Sequence, residues 1–265
     1  MTDPLETLDW QGNQVDCAAC ENAALLASGG CKPMQACVHD RYAKRIDRFF
    51  AQHPELAQQY AAHPYFEVRA VAARHLDVFH LSRLRNDPDG TVRSMVVSRL
   101  PRRQLLEMRN DPDREVRIRV AYKLPPEELA QMMHDEDYYV RKVVAKRLPK
   151  GRLALMMHDP DSSVRAAVVS RIDESLLPAM INDPDGSVRL AVAKHLSEQQ
   201  LVLLRHDADW RVRYEVAQRI DACYLSEMAL DADTMVQEMV LLRLLENSAG
   251  RTSTKIQRGV SDVKN

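Results

Sequence analysis

The chain has 265 residues, of which 45% are hydrophobic and 5% aromatic, and its formal net charge is −1. This content suffices for a substantial buried core, while few aromatic residues and only eight glycines argue against an all-β sandwich. A charge near zero steers the protein toward neither nucleic acid nor an acidic membrane. We find no basic start followed by an apolar stretch, and no apolar run of roughly 20 residues, so we expect a cytoplasmic protein without signal peptide or membrane contact.

Four of the five cysteines lie close together near the N-terminus, with the spacing C-x₂-C-x₁₀-C-x₅-C. In a reducing compartment such thiols indicate metal ligands rather than disulfides. The C-x₂-C pair can bind one ion or cluster with little distortion of its loop, and two further thiolates complete four ligands. On spacing alone, zinc and an iron–sulfur cluster fit equally well. The four residues are Cys17, Cys20, Cys31 and Cys37.

The residues around these cysteines are compatible with a metal centre. Gly29 and Gly30, just before Cys31, are typical of a tight loop. His39 and Asp40 could act as substitute ligands, although four cysteines leave no need for them. The fifth cysteine, Cys223, lies far away in a polar part of the sequence, and we interpret it as an ordinary residue.

A basic helix is predicted directly after the last of the four cysteines, in the sequence DRYAKRIDRFF. Ile46, Phe49 and Phe50 supply its apolar contacts, whereas its basic residues are Arg41, Lys44, Arg45 and Arg48. We interpret the segment as a linker helix that packs the head on the first repeat. A docking site for an acidic partner is the alternative.

A 24-residue repeat occupies most of the remaining chain. Apolar residues recur four and eight positions after a marker valine, which is the spacing of one helix face. Leucine and methionine rows follow in the second half of each unit, and we assign them to the core. The marker valines are Val68, Val92, Val116, Val140, Val164, Val188, Val212 and Val236.

The polar residues of the repeat predict where its helices begin and end. Asp-Pro-Asp or a variant precedes seven of the eight marker valines, and the second aspartate is placed to cap a helix of about ten residues. A proline or polar residue then ends that helix, which leaves room for two turns of a second, 3₁₀-like segment. Because no stretch alternates like a strand, each unit is two short helices that must stack to bury their faces.

Two basic rows accompany the repeat. Arginine follows seven of the eight marker valines at the edge of the buried arc, and we infer a ladder of Asp–Arg pairs, with phosphate binding as the alternative. A second row, seven residues after each valine, suits helix C-termini, with a stripe for an anionic partner such as nucleic acid as the alternative. The final polar segment has lost the period, and we predict that it is disordered.

The unit D-P-D-x-x-V-R-x-x-V-A-x-x-L resembles the leucine-rich repeat variant family, and the four-cysteine head looks like that family's iron–sulfur protein. The resemblance implies an all-α, right-handed solenoid of about eight repeats that alternate α and 3₁₀ helices. It also implies a 4Fe-4S cluster bound by Cys17, Cys20, Cys31 and Cys37, with zinc as the alternative cofactor. The predicted domains are a cluster head at 1–45, the repeat solenoid at 46–246 and a disordered tail at 247–265.

No enzyme motif accompanies these features: we find neither a Gly-rich phosphate loop nor a nucleophile elbow, and no small-molecule substrate is evident. Solenoids mostly bind macromolecules along an extended surface. The leading hypothesis is therefore a non-enzymatic scaffold for a protein partner, whose cluster senses redox state or iron. The alternatives are an electron carrier that docks a protein through the solenoid and a nucleic-acid binder that uses the basic row.

Overall fold

The computed structural model describes residues 7–261, with side chains as far as residue 248. Within this range the chain forms α-helices and 3₁₀ helices and no β-strand, and its only extended pairings are two isolated bridges in the head. The prediction of an all-α fold is therefore confirmed. No helix in the described part of the chain combines the length and the apolar character that a membrane crossing requires.

The chain divides into two compact units, Met1–Met132 and Met133–Asn265. Unit 1 contains the head and the first repeats, with α-helices Ala23–Ala27, Ala43–Gln52, Phe66–Ala72, Val78–Leu81, Gly90–Val97, Arg102–Glu107 and Arg114–Lys123, and 3₁₀ helices Pro54–Gln58, Ser82–Asn86, Met108–Asn110 and Pro126–Met132. Unit 2 contains the later repeats, with α-helices Tyr138–Arg147, Ser162–Val169, Gly186–His195, Glu198–Leu201, Trp210–Arg219 and Thr234–Ser261, and 3₁₀ helices Lys150–Met156, Glu174–Met180, Val202–Leu204 and Ala222–Met228.

Each helix that carries a marker valine, except the first, Phe66–Ala72, begins where the second aspartate of the repeat predicts. In unit 1 the Asp89 side chain accepts the backbone N–H of Thr91, and in unit 2 the Asp161 side chain accepts that of Ser163, both at 2.8 Å. Such a cap satisfies one of the four N–H groups that a helix leaves without an internal partner. The capping prediction is confirmed, and it explains why the helices start every 24 residues.

The apolar rows form the core. All eight marker valines are fully buried, as is most of the leucine row that follows them. The methionine row is also buried, which confirms its assignment to packing. Within each unit, the helix that carries one marker valine packs on the corresponding helix of the next repeat. Stacking therefore buries the faces that no single repeat covers.

The predicted Asp–Arg ladder is present, and each pair described below joins two successive repeats. Arginine Nε lies 2.7–2.8 Å from an oxygen of the aspartate 18 residues later, which is the first acid of the next Asp-x-Asp triplet. Nη2 donates to the other oxygen, so each contact is bidentate. The pairs are Arg69–Asp87 and Arg93–Asp111 in unit 1, and Arg141–Asp159, Arg165–Asp183, Arg189–Asp207 and Arg213–Asp231 in unit 2.

The second basic row also binds the preceding repeat. Arg99 donates to the carbonyl of Ala73 in unit 1, and Arg171 donates to that of Ala145 in unit 2. Arg219 donates to the carbonyls of Ala193, Lys194 and Leu196. These carbonyls lie at the C-terminal end of the neighbouring helix, where they have no partner inside that helix. These members of the row therefore cap the previous repeat rather than complementing only their own helices.

Replacing Arg219 with alanine should lower the free energy of unfolding by about 1–2 kcal/mol, because three helix-end carbonyls lose their donor. Urea unfolding followed by circular dichroism measures the change. Gln218→Ala, at an exposed position of the same helix, is the matched control and should change stability by less than about 0.5 kcal/mol. Equal unfolding midpoints for the two variants would contradict a capping role.

The final helix, Thr234–Ser261, runs through most of the segment predicted to be a disordered tail, and residues 262–265 lie outside the described part of the chain. Leu245 stands where earlier repeats have proline, aspartate or serine, so the residue that ends the other helices is absent here. At the other end, the linker helix Ala43–Gln52 crosses the predicted boundary at 45/46. The domain limits of the sequence analysis stay predictions.

Candidate metal centre

The head is a set of loops around one short helix, Ala23–Ala27. Asp16 holds the first cysteine loop by accepting the backbone N–H groups of Ala18 and Ala19. After the short helix, Gly29 adopts a φ of 78°, a left-handed conformation that side chains disfavour. A Cβ on Gly30 would lie 3.0 Å from His53 Nε2, a close contact that glycine avoids, and the two glycines form the tight turn that the sequence predicts.

Burial and neighbouring charges raise the pKa values of three of the four predicted ligands. Burial raises the pKa of the Cys31 thiol, and charge at Cys20 and Cys17 raises that pKa further. Burial also raises the pKa of Cys20, with contributions from Glu21 and Cys17. Burial raises the pKa of Cys37 to about 11, with Asp40 and Cys17 adding to the rise. Cys17 thus interacts with each of the other three thiols. All five cysteines of the chain are free thiols.

One sulfur atom receives a hydrogen bond from the backbone: the N–H of Asn22 donates to Cys20 Sγ at 3.4 Å. The backbone at His39 and Asp40 acts to lower the pKa of Cys37, against the larger effect of burial. Such donors stabilise negative charge on a thiolate and are among the contacts that tune iron–sulfur centres. Cys37 is buried, whereas Cys17, Cys20 and Cys31 are half-buried. The centre that these thiols define therefore lies near the protein surface.

The two substitute ligands named from the sequence have different environments. Asp40 is fully buried, and its carboxylate accepts from Arg45 at 2.8 Å and from the backbone of Tyr42 at 2.9 Å. It is engaged in holding the loop after Cys37 against the linker helix. His39 lies with Glu21 beside Cys20, where three potential ligand atoms come within 4.8 Å of one another.

A hydrogen-bonded network joins the first cysteine loop to the start of the repeats. Tyr60 donates to Glu21 Oε1 at 2.7 Å, and the side chain of Asn22 donates to the Tyr60 hydroxyl at 2.5 Å. His39 Nε2 lies 3.1 Å from the same glutamate oxygen. Burial and the bond to Glu21 raise the pKa of Tyr60. Although burial acts to raise the pKa of Glu21, the bonds from Tyr60 and His39 hold it below its ordinary value.

This network was not predicted from the sequence. Glu21 and Asn22 directly follow the C-x₂-C motif, which could have marked them as part of the centre. Nothing in the sequence indicates that Tyr60, 39 residues further on, contacts them. The tyrosine belongs to a buried aromatic cluster with Phe49 and Phe50, whose ring centroids lie 6.2 Å and 5.8 Å from its own. The head therefore packs on the same core as the first repeat.

A four-thiol head followed by 24-residue pairs of α and 3₁₀ helices defines a helical repeat protein with an iron–sulfur module. Known proteins bear out this class: a family model described as "LRV protein FeS4 cluster" matches residues 7–59, and one described as "Leucine rich repeat variant" matches residues 114–137. A solved structure described as a leucine-rich repeat variant with a novel repetitive structural motif is 42% identical, with a TM-score of 0.82 over 86% of this chain and 97% of that chain. The chain belongs to the leucine-rich repeat variant family and has its helical solenoid fold.

A curated relative gives a shorter match. It is an uncharacterized 27.7 kDa protein in the nifB 3′ region of Rhodobacter capsulatus, 53% identical over 96 residues. The match spans 36% of this chain and 39% of that relative. The FeS4 description of the head supports an iron–sulfur cluster, whereas zinc receives no support from the comparisons.

Proposed function

We propose that the protein is a redox-responsive binding scaffold, in which a 4Fe-4S cluster held by Cys17, Cys20, Cys31 and Cys37 influences the repeats beside it. Four thiols suit such a cluster without any further ligand. The backbone N–H of Asn22, which donates to Cys20 Sγ, would stabilise its negative charge. When bound, the cluster supplies reversible one-electron chemistry.

The observation that carries this proposal is the contact between the first cysteine loop and Tyr60. Glu21 and Asn22 are the two residues after Cys20, and both hold the Tyr60 hydroxyl. A change in charge or ligation at Cys20 would therefore alter the partners of a side chain in the aromatic cluster under the first repeat. This gives the cluster a physical route to the repeats.

The repeats themselves suit binding rather than catalysis, and we propose a protein as the partner. Nucleic-acid binding by the basic row has weaker support, since Arg99, Arg171 and Arg219 already donate to backbone carbonyls.

An electron carrier is the second candidate function. It is favoured by the half-buried state of three of the four cysteines, which brings the centre close to a docked partner.

Coupling between the cluster and the repeats can be tested by hydrogen exchange on loaded and cluster-free protein. We expect loss of the cluster to speed amide exchange in residues 54–63 by about tenfold, because the Glu21 and Asn22 contacts to Tyr60 weaken. In Tyr60→Phe the cluster should still bind, but the difference between the two states should shrink. Tyr138→Phe, which changes an exposed tyrosine, should behave like wild type. Equal exchange of wild-type residues 54–63 in both states would contradict the proposal.

A further inference from the structure

An uncompensated basic surface borders the metal centre. Lys44 and Arg48 lie one turn apart on the linker helix, and both are exposed. Arg41 precedes Lys44 by three residues, and the exposed Lys32 lies in the loop between the last two cysteines. None of these four side chains forms an ion pair with another described residue. We call Lys32, Arg41, Lys44 and Arg48 the head basic surface.

The acids of the linker segment do not neutralise this surface, because they are already paired elsewhere. The buried Asp40 binds Arg45 at 2.8 Å. Asp47 binds Arg74, which belongs to the first repeat, at 2.9 Å. Three exposed positive charges and the half-buried Arg41 therefore lack a local counter-charge here. Unpaired charge of one sign on a small area steers an oppositely charged partner toward it.

This surface lies next to two of the predicted ligands. Lys32 directly follows Cys31 in the chain. Arg48 donates to the carbonyl of Gln35 at 3.4 Å, in the turn that leads into Cys37. The backbone N–H of Cys37 donates to the carbonyl of Arg45 on the linker helix, at 3.2 Å. A partner seated on the head basic surface would thus contact the loops that carry Cys31 and Cys37.

An exposed aromatic side chain lies within the same surface. Tyr42 is 49% exposed, and the guanidinium carbons of Arg41 and Arg45 lie 5.0 Å and 4.8 Å from the centre of its ring. Tyrosine and arginine are the residue types that concentrate in the energetic centres of protein interfaces. The surface therefore combines a rigid aromatic contact with a surrounding positive charge.

We infer that the head basic surface docks a small acidic redox protein that exchanges one electron with the cluster. This rests on the proposed function, because it requires a redox-active cluster. One electron leaves the reduced partner, which is oxidised, and enters the cluster, which is reduced; no bond forms and no proton moves. A protein fits better than nucleic acid because the four charges are confined to residues 41–48 and one adjoining loop. The arginines of the repeat rows, in contrast, already have partners within the protein.

The test uses full-length, cluster-loaded protein and an acidic plant-type ferredoxin as the probe. Calorimetry under anaerobic conditions measures the affinity for oxidised ferredoxin at low and high salt, and stopped-flow absorbance measures the electron-exchange rate. We expect affinity to fall with salt, and Lys44→Glu/Arg48→Glu to weaken low-salt binding by at least about tenfold. Lys146→Glu/Lys194→Glu carries the same charge change at exposed repeat positions and should stay within about twofold of wild type.

Several outcomes would overturn the inference. The first is equal affinity for ferredoxin in the head variant Lys44→Glu/Arg48→Glu and the repeat variant Lys146→Glu/Lys194→Glu. The second is a head variant in which only the reduction potential of the cluster changes. The third is a protein that binds double-stranded DNA more tightly than ferredoxin through this surface. Dithionite reduction followed by electron paramagnetic resonance distinguishes failure of the docking surface from failure of the proposed redox function. A cluster that dithionite cannot reduce would remove the redox proposal, whereas a reducible cluster with charge-insensitive docking would remove only the docking surface.

Discussion

Replacing Arg141 with alanine should lower the free energy of unfolding by about 3 kcal/mol. Its guanidinium makes a bidentate contact with Asp159 and donates to the carbonyls of Asp135 and Glu136. The Arg141 and Asp159 side chains are only 10% and 5% exposed, so the variant would leave a carboxylate without its counter-charge in a nearly dry site. Thermal and urea unfolding of the full chain measure the effect.

The exposed Lys146 on the same helix supplies the matched control, and Lys146→Ala should change stability by less than about 0.5 kcal/mol. The double variant Arg141→Ala/Asp159→Ala should recover part of the loss, because removing both charges leaves no buried ion unpaired. If Arg141→Ala and Lys146→Ala unfolded at the same temperature, the ladder would contribute nothing to stability.

Cys20→Ser should abolish the cluster. Anaerobically purified wild-type protein should contain about four irons and four labile sulfides per chain, and the variant should contain almost none. Serine keeps the size of the side chain but replaces the soft thiolate that iron–sulfur clusters require. Iron and sulfide analysis, together with the visible absorption spectrum, measures the loss.

Cys223→Ser is the control for the loss of one thiol. Cys223 is exposed in the 3₁₀ helix Ala222–Met228, and its backbone N–H donates to Asp221, so the cluster should remain. Stoichiometric zinc without sulfide in the wild-type protein would reject the 4Fe-4S assignment. A Cys20→Ser variant with full iron content would reject Cys20 as a ligand.

The repeat could be predicted from the sequence because its signals are local. Asp89 caps the helix that begins one residue later, and the valines four residues apart lie on one face whatever the rest of the chain does. The acid and the arginine of each ladder pair also recur with the same period, so their pairing could be inferred. The sequence did not show which aspartate binds each arginine. Arg69 binds Asp87 of the next repeat, and this pairing depends on how the repeats stack.

Contacts between distant segments account for what the sequence did not reveal. Arg99 reaches the carbonyl of Ala73, 26 residues earlier, and only the stacking of two repeats brings them together. The same holds for Tyr60 and Glu21, which no spacing rule connects. The four cysteines could be grouped because they are close in the chain and share one chemistry. The hydrogen-bond donor to Cys20 is a backbone N–H group, which every residue type except proline carries, so its presence there could not be predicted.

The direction of the ladder gives the protein a polarity. Each paired arginine binds an aspartate of the following repeat. The aspartate of a repeat in turn binds the arginine of the preceding one. A whole 24-residue unit could therefore be duplicated or deleted by recombination while both new junctions keep their ion pairs. The series closes at Gln237, where glutamine replaces arginine and bonds to the carbonyl of Asp231 in its own repeat. Because this side chain is neutral, it needs no aspartate from a following repeat, and no buried charge is left without a partner there.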